Sequence, residues 1–234
     1  MTVLVTGAAG GIGGAGVSAL QADGHDVIAV DIDAIAGDVT LVQGDLRRSE
    51  TLESVAKALG GVQSLDAVVV AHGIEGAGAI HEIDEQDARA IMESNFESVI
   101  RLWDTVRTPL EVSGGSFIVI ASQAAVIAEQ GNALYCASKS SLRGWLRGLA
   151  SQTNARLRVL NPGGIQTELL RRALGGMAVA RGTTYEKFVV ERYADTPAGR
   201  IAEPVEAGDA IRWAARLRTS ELVEMTITGG EVLW

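Results

Sequence analysis

The sequence predicts a single α/β domain, a doubly wound parallel sheet of about seven strands with helices on both faces. Three observations carry this expectation. Short β-branched runs such as Val3-Leu4-Val5 and Ala67-Val68-Val69-Val70 recur along the chain and are apolar on both faces. Helical patterns separate these runs, the alternation that buries a parallel sheet between two helical layers. No repeat, low-complexity tract or Pro- or Ser-rich linker divides residues 1–234, and the four prolines are scattered, so one domain is the economical reading.

The elements follow in order. Residues 3–5 form a buried strand closed by Gly7, and 11–22 read as the first helix. Residues 27–30 make the second strand, ending at Asp31, and 40–43 a short third. Residues 49–59 are helical with Ser49 as N-cap. Residues 67–70 form another strand, and 84 to about 112 read as one long helical region. A strand over 117–120 precedes a helix over 132–152, and a strand over 158–160 closes with Asn161-Pro162-Gly163. A helix over 204–217 carries Pro204 in its first turn, and residues 225–228 are the last strand before Gly229-Gly230. In such a fold the ligand sits beyond the carboxyl ends of the strands, where the strand order reverses.

Composition narrows the function classes. With 47% hydrophobic and 21% charged residues the chain is not disordered. Twenty basic against 29 acidic residues give a net charge of −9, which argues against nucleic acid or an anionic membrane as partner. The single Cys excludes an intramolecular disulfide and suits a reducing, cytoplasmic location. The first basic residue is Arg47, so no basic targeting leader is expected. His25, His72 and His81 show no metal-ligand spacing. Gly is over-represented at 28 residues, which asks for close backbone approaches somewhere.

One such place is Thr6-Gly7-Ala8-Ala9-Gly10-Gly11-Ile12-Gly13, between the first strand and the first helix. Glycines there allow a tight turn and a close approach to a pyrophosphate, and the helix N-terminus offers unpaired N–H groups. Asp31 follows at the tip of the second strand, where the dinucleotide reading needs an acid. Its carboxylate accepts the adenosine ribose hydroxyls and repels a 2′-phosphate. NAD is therefore the expected cofactor, with neighbouring Asp33 the competitor for that role. A second motif is Tyr135-Cys136-Ala137-Ser138-Lys139, which puts Tyr and Lys four apart on one helix face. A neighbouring ammonium favours the phenolate, so the Tyr135 pKa is expected to fall toward neutrality and suit acid–base work.

Together the Gly-rich turn and the Tyr135/Lys139 pair resemble the short-chain dehydrogenase/reductase family. Ile118-Val119-Ile120-Ala121-Ser122, Asn95 in Glu93-Ser94-Asn95-Phe96, and Pro162-Gly163-Gly164-Ile165-Gln166-Thr167 extend the resemblance to residues 2 to about 230. It implies a Rossmann-type fold and a catalytic set of Asn95, Ser122, Tyr135 and Lys139. Tyr135 would exchange a proton with the substrate oxygen, Ser122 would hold that oxygen, Lys139 would lower the Tyr pKa and bind the nicotinamide ribose, and Asn95 would position a relay water. The implied cofactor contacts are Gly7, Gly11, Ile12 and Gly13 at the phosphates, Asp31 and Ile32 at the ribose, and Asp45 and Leu46 near the adenine. Ala71, Gly73, Tyr135, Lys139, Ile165 and Thr167 would serve the nicotinamide half. The chain departs from the family in having Ala71-His72-Gly73 where Asn-Ala-Gly is usual; His72 is expected to serve as a plain loop residue, facing solvent or the cofactor.

The resemblance places a substrate lid at 168–200, whose apolar stripe (Leu169, Leu170, Leu174, Met177, Phe188) points to a mid-sized apolar secondary alcohol or ketone, cyclic, aryl or steroid-like. Trp103 and Trp145 on two long helices suggest exposed apolar faces and a homotetramer or homodimer. Two other readings compete. A protein that senses NAD(H) without turnover would not need all four catalytic positions. A sugar-nucleotide epimerase or dehydratase would need a larger C-terminal part than follows Gly163.

Overall fold

Runs of buried Val, Ile and Leu make the strands of this computed structural model, which describes residues 1–62, 64–75, 84–127, 129, 131–219 and 221–230. The strands are β1 (Thr2–Thr6), β2 (Asp26–Asp31), β3 (Thr40–Gln43), β4 (Ala67–Val70), β5 (Ser116–Ile120), β6 (Arg156–Pro162) and β7 (Val223–Ile227). They form one sheet in the order β3-β2-β1-β4-β5-β6-β7, and every neighbouring pair is parallel. The expected doubly wound sheet with helices on both faces is the observed one.

Strand pleating divides the core in two. Along β1, Leu4 joins a cluster with Val55, Leu102, Val106, Leu142 and Leu146. Its neighbours Val3 and Val5 face the opposite cluster, with Val17, Leu20, Ile211 and Ala214. Helices α1 (Gly11–Ala22) and α8 (Pro204–Arg216) therefore cover one face. Helices α2 (Ser49–Ala58), α4 (Ser98–Ser113) and α5 (Ala133–Leu149) cover the other. α3 (Glu85–Met92) is N-capped by Asp84, whose carboxylate accepts from the Asp87 N–H at 2.8 Å.

Several expectations are corrected. Ser49 is the first helical residue of α2 and Arg48 its N-cap, without a side-chain cap bond. The long helical region after residue 84 is three pieces: α3, a π turn at Glu93–Glu97, and α4. The π turn widens the helix where Asn95 sits, and Ser98 returns its hydroxyl to the Ser94 carbonyl at 2.7 Å. Trp103 does not present an exposed face. It is 4% exposed and meets Phe117 edge-on at 5.0 Å and Trp145 at 6.4 Å. The lid region folds as α6 (Glu168–Ala180) and α7 (Tyr185–Tyr193). Leu174, Ala178, Phe188 and Ile201 pack together as a small core of their own. His81 lies outside the described residues. Among the described residues no helix is long and apolar enough to cross a membrane.

Strand order reverses between β1 and β4: from β1 the chain steps to β2 and β3 on one side and to β4 through β7 on the other. The carboxyl ends there, Thr6 and Val70, are register partners. They floor the crevice where a ligand is expected.

Candidate active site

Loops leaving the carboxyl ends of the strands line one cleft of about 730 Å³, within the usual size range of cofactor sites. The cleft collects all fourteen residues expected to touch a cofactor, from Gly7 through Thr167, together with Ser122. Asn95 does not line it; that residue is 1% exposed and stands behind Gly73.

At one end the Gly-rich turn sets the geometry. Gly7 has φ +63°, and a Cβ there would lie 2.7 Å from the Ala71 backbone. A Cβ on Gly13 would lie 2.0 Å from the Gly7 carbonyl oxygen, which packs α1 directly on the turn. The N-cap of α1 is Gly10, with no side-chain cap and no acid in the first turn. The first N–H groups of the helix thus face the cleft without a side-chain acceptor, a set that suits a diphosphate. The residues present therefore fit a nicotinamide dinucleotide. Asp31 accepts from the Ala9 N–H at 2.9 Å and from the Asp33 N–H at 3.0 Å, so it, rather than Asp33, is fixed at the rim. Asp45 is paired with Arg47 through both carboxylate oxygens, which holds its carboxyl below the usual range. At the other end Gln166 N–H and the Gly164 carbonyl bond to Ala202. That alternation turns the amide groups of Ile165 to the opposite side. Thr167 caps α6, accepting from the Leu170 N–H at 3.2 Å, and its methyl closes on Gly11.

Ser122, Tyr135 and Lys139 meet where β5 ends against α5. Burial of Ser138, Lys139, Leu142 and Leu146 turns one face of α5 inward, and Tyr135 lies on the same face one turn earlier. Two further ties hold the helix. Arg143 ion-pairs with Glu224 of β7 and donates to the Ala125 carbonyl at 2.6 Å, while Asn161 donates to Glu224 at 2.7 Å. Ser122 accepts from the Ala124 N–H at 3.1 Å, and its hydroxyl lies near enough to the Tyr135 phenol to favour the phenolate. Lys139 is 5% exposed and donates to the Ile120 carbonyl at 3.1 Å, with its Nζ 5.7 Å from the Tyr135 ring centre.

The expected fall in the Tyr135 pKa does not occur in the protein alone. Burial pushes it up to about 12, the nearby Ser122 hydroxyl opposes this, and the charges of Glu129 and Glu75 add to the rise. Lys139 is itself brought down to about 8 by burial. Sequence spacing shows the pair but not the dehydration around it, and dehydration disfavours both charged forms.

Behind this group Asn95 accepts from the Ile74 N–H at 2.8 Å and donates to the Ile74 carbonyl at 2.9 Å and to Ser138 Oγ at 3.0 Å. Both amide hydrogens are therefore committed to protein. His72 is not a plain loop residue. Its Nδ1 is 2.7 Å from Thr6 Oγ1 and its Nε2 2.8 Å from Ser98 Oγ. Burial takes its pKa down to about 3, with the Lys139 charge adding to the fall, so the ring is neutral.

Sequence reasoning missed one wall of the cleft. Glu129 receives the Gln123 amide at 3.3 Å and the Asn132 amide at 3.1 Å, one on each oxygen. Asn132 is 5% exposed, and its Oδ1 has no donor among the described residues. Glu75 stands close enough that burial and the Glu129 charge raise its pKa. All four line the cleft with Ser122 and Tyr135. The available signal was the polar run Gln123…Glu129…Asn132 between Ser122 and Tyr135, which has no helical or strand period.

The pattern of the short chain dehydrogenase family matches residues 1–175. A D-threitol dehydrogenase of Mycolicibacterium smegmatis is 29% identical over 247 residues, covering 98% of this chain and 89% of that one. An NAD-dependent glycerol dehydrogenase of Listeria innocua is 28% identical over 245 residues, covering 97% and 92%. Among solved structures, a short chain dehydrogenase family protein of Francisella tularensis superposes with a TM-score of 0.88 at 26% identity, covering 98% of this chain and 97% of that chain.

Proposed function

This chain belongs to the short-chain dehydrogenase family, and from that premise we propose that it is an NAD-dependent dehydrogenase of a small polyhydroxylated secondary alcohol. The single observation that carries the substrate class is the wall of Gln123, Glu129, Asn132 and Glu75 beside Ser122 and Tyr135. Carboxylates only accept hydrogen bonds, so they suit the several hydroxyl donors of a polyol and repel acids and phosphates. Of the apolar lid side chains that pointed to a cyclic, aryl or steroid-like substrate, Leu170, Leu174, Met177 and Phe188 pack together in the α6–α7 core, and with Leu169 they also line the cleft, where they would meet the carbon skeleton of the substrate. The threitol and glycerol dehydrogenases among the relatives support the same reading.

When bound, the nicotinamide accepts or delivers the hydride. The remaining work falls to this chain. Ser122 holds the substrate oxygen beside Tyr135. Tyr135, protonated in the free protein, gives its proton to the oxygen in the reducing direction; in the oxidising direction it first releases that proton to solvent, and the phenolate then takes the hydroxyl proton of the alcohol. Lys139 keeps N–H donors for the ribose hydroxyls beyond its bond to Ile120. Lys139 also tempers the charge on Tyr135 as the proton moves. Single-domain organisation over 1–234 with a lid at 168–200 belongs to the same proposal, as does a homotetramer or homodimer. In such an assembly β7, the partly exposed edge strand, would be covered. Light scattering on the purified protein reads the copy number.

The test follows NADH absorbance with NAD and glycerol, erythritol, 2-butanol and cyclohexanol. The polyols should be oxidised with kcat/KM about tenfold or more above the monofunctional alcohols. Glu129→Gln should remove most of that margin, about 1–2 kcal/mol, while sparing cyclohexanol. A better rate with cyclohexanol, or with the cation 1-amino-2-propanol, would reject the polyol assignment and leave the dehydrogenase. Cofactor choice is read separately. Asp31→Ser should weaken NADH binding and strengthen NADPH binding, shifting their ratio about tenfold as a like-charge contact of roughly 1 kcal/mol or more is lost. Equal affinity of the native protein for the two cofactors would reject NAD preference.

A further inference from the structure

The hydrogens of the His72 network can be placed by elimination. Ser98 Oγ donates to the Ser94 carbonyl at 2.7 Å, so toward His72 it can only accept, and His72 Nε2 carries the proton. Nδ1 is then an acceptor, and the Thr6 hydroxyl donates to it at 2.7 Å in preference to the Val69 carbonyl at 3.4 Å. The Ala71 N–H completes the set by donating to Thr6 Oγ1 at 3.2 Å. The neutral ring thus bridges the end of β1, the end of β4 and the first turn of α4.

A second tie lies two residues further along the same segment, where Ile74 N–H and C=O both bond to the Asn95 amide. Residues 72–74 are therefore pinned at two points, His72 to Ser98 at the start of α4 and Ile74 to Asn95 in the π turn. Gly73, between them, packs against Asn95 and Lys139. A Cβ on it would lie 3.0 Å from Asn95 Oδ1 and 3.3 Å from Lys139 Nζ. With the His72 pin lost, the segment can pivot on the Ile74–Asn95 pair, moving Gly73 relative to the ammonium.

We infer that His72 is a positioning residue for the reaction: by clamping the segment after β4 to the start of α4, beside the π turn, it sets where Gly73 stands against Asn95 and Lys139. It never touches the reacting atoms. The inference rests on the dehydrogenase reading, and a measurement independent of turnover separates the two.

The test compares His72→Phe, which keeps a ring of similar size without either hydrogen bond, with Ser98→Ala and the double variant. For His72→Phe, kcat should fall about tenfold or more, as sub-ångström misplacement of catalytic groups does, with KM for the alcohol within about twofold of the native value. Hydrogen exchange should quicken about tenfold in residues 71–75 and 94–98 and stay unchanged in β5 and α8. Ser98→Ala should reproduce both effects, and the double variant should be no worse than His72→Phe, because one tie cannot be lost twice. His72→Gln, whose amide can still donate to Ser98, should recover part of kcat. A His72→Phe protein with native kcat would overturn the inference, as would one whose exchange rises uniformly, the mark of a purely structural role. If the native protein oxidises no alcohol, the dehydrogenase reading and this role fall together, while localised exchange would still report the clamp.

Discussion

Tyr135→Phe should abolish turnover, lowering kcat by about 10³-fold, while NADH binds within about twofold of the native affinity. The change removes one hydroxyl from a side chain that otherwise stays in place on α5 between Ser122 and Lys139. Oxidation and reduction should fall together, because the same hydroxyl serves both. The pH profile supplies a second reading of the site. With Tyr135 at about 12 and Lys139 at about 8, the phenol keeps its proton throughout the working range, and the first group to titrate is the ammonium. Log kcat/KM for ketone reduction should therefore be flat below pH 8 and decline above it as Lys139 loses its proton. In Lys139→Met the residual activity should show no such step. An alkaline limb that persists in that variant would assign the titration elsewhere, and native-like turnover of Tyr135→Phe would remove Tyr135 from the chemistry.

Arg158→Met should be the most damaging substitution away from the cleft, lowering stability by about 3 kcal/mol and Tm by about 6–12 °C. Arg158 is fully buried on β6 and donates to four backbone carbonyls: Leu157 at 2.8 Å, Glu221 at 2.8 Å, Leu217 at 3.0 Å and Thr219 at 2.6 Å. Leu217 is the C-cap of α8, so the guanidinium satisfies the end of that helix and the chain leading to β7. Burial brings its pKa down to about 10, and the hydrogen bonds to carbonyls offset that cost. Methionine fills the volume but leaves those acceptors without a donor. Arg156→Met, two residues earlier on a partly exposed side chain, is the control and should change stability by less than about 1 kcal/mol. A thermal melt separates the two, and equal melting temperatures would show that the carbonyls find water instead.

How much of this was legible in the chain depends on the range of the interaction. The strands were readable because a parallel strand buried on both faces must be apolar at every position, as in Ala67–Val70. The Gly-rich turn, Asp31 and the Tyr135/Lys139 pair were readable because their spacing is local, within one turn or one βαβ unit. The π turn at Glu93–Glu97 was not, since its residues carry an ordinary helical pattern and its Asn95 bonds to Ile74 and Ser138, distant in the chain. Trp103 was placed outward by its helix and lies inward, because Phe117 and Trp145 complete an aromatic cluster around it.

The sequence by itself determined the fold class, the family resemblance and the identities of the residues now gathered at one cleft. Only the tertiary structure decided what those residues are able to do. His72 became a neutral bridge because Thr6 and Ser98, 66 and 26 positions away, meet its two nitrogens. Arg158 became a helix cap because α8 ends against β6. The Tyr135 pKa rose instead of falling because the fold removes water from the phenol and the ammonium together. Local spacing is written along the chain, whereas burial and long-range hydrogen bonding are set by residues that become neighbours only on folding.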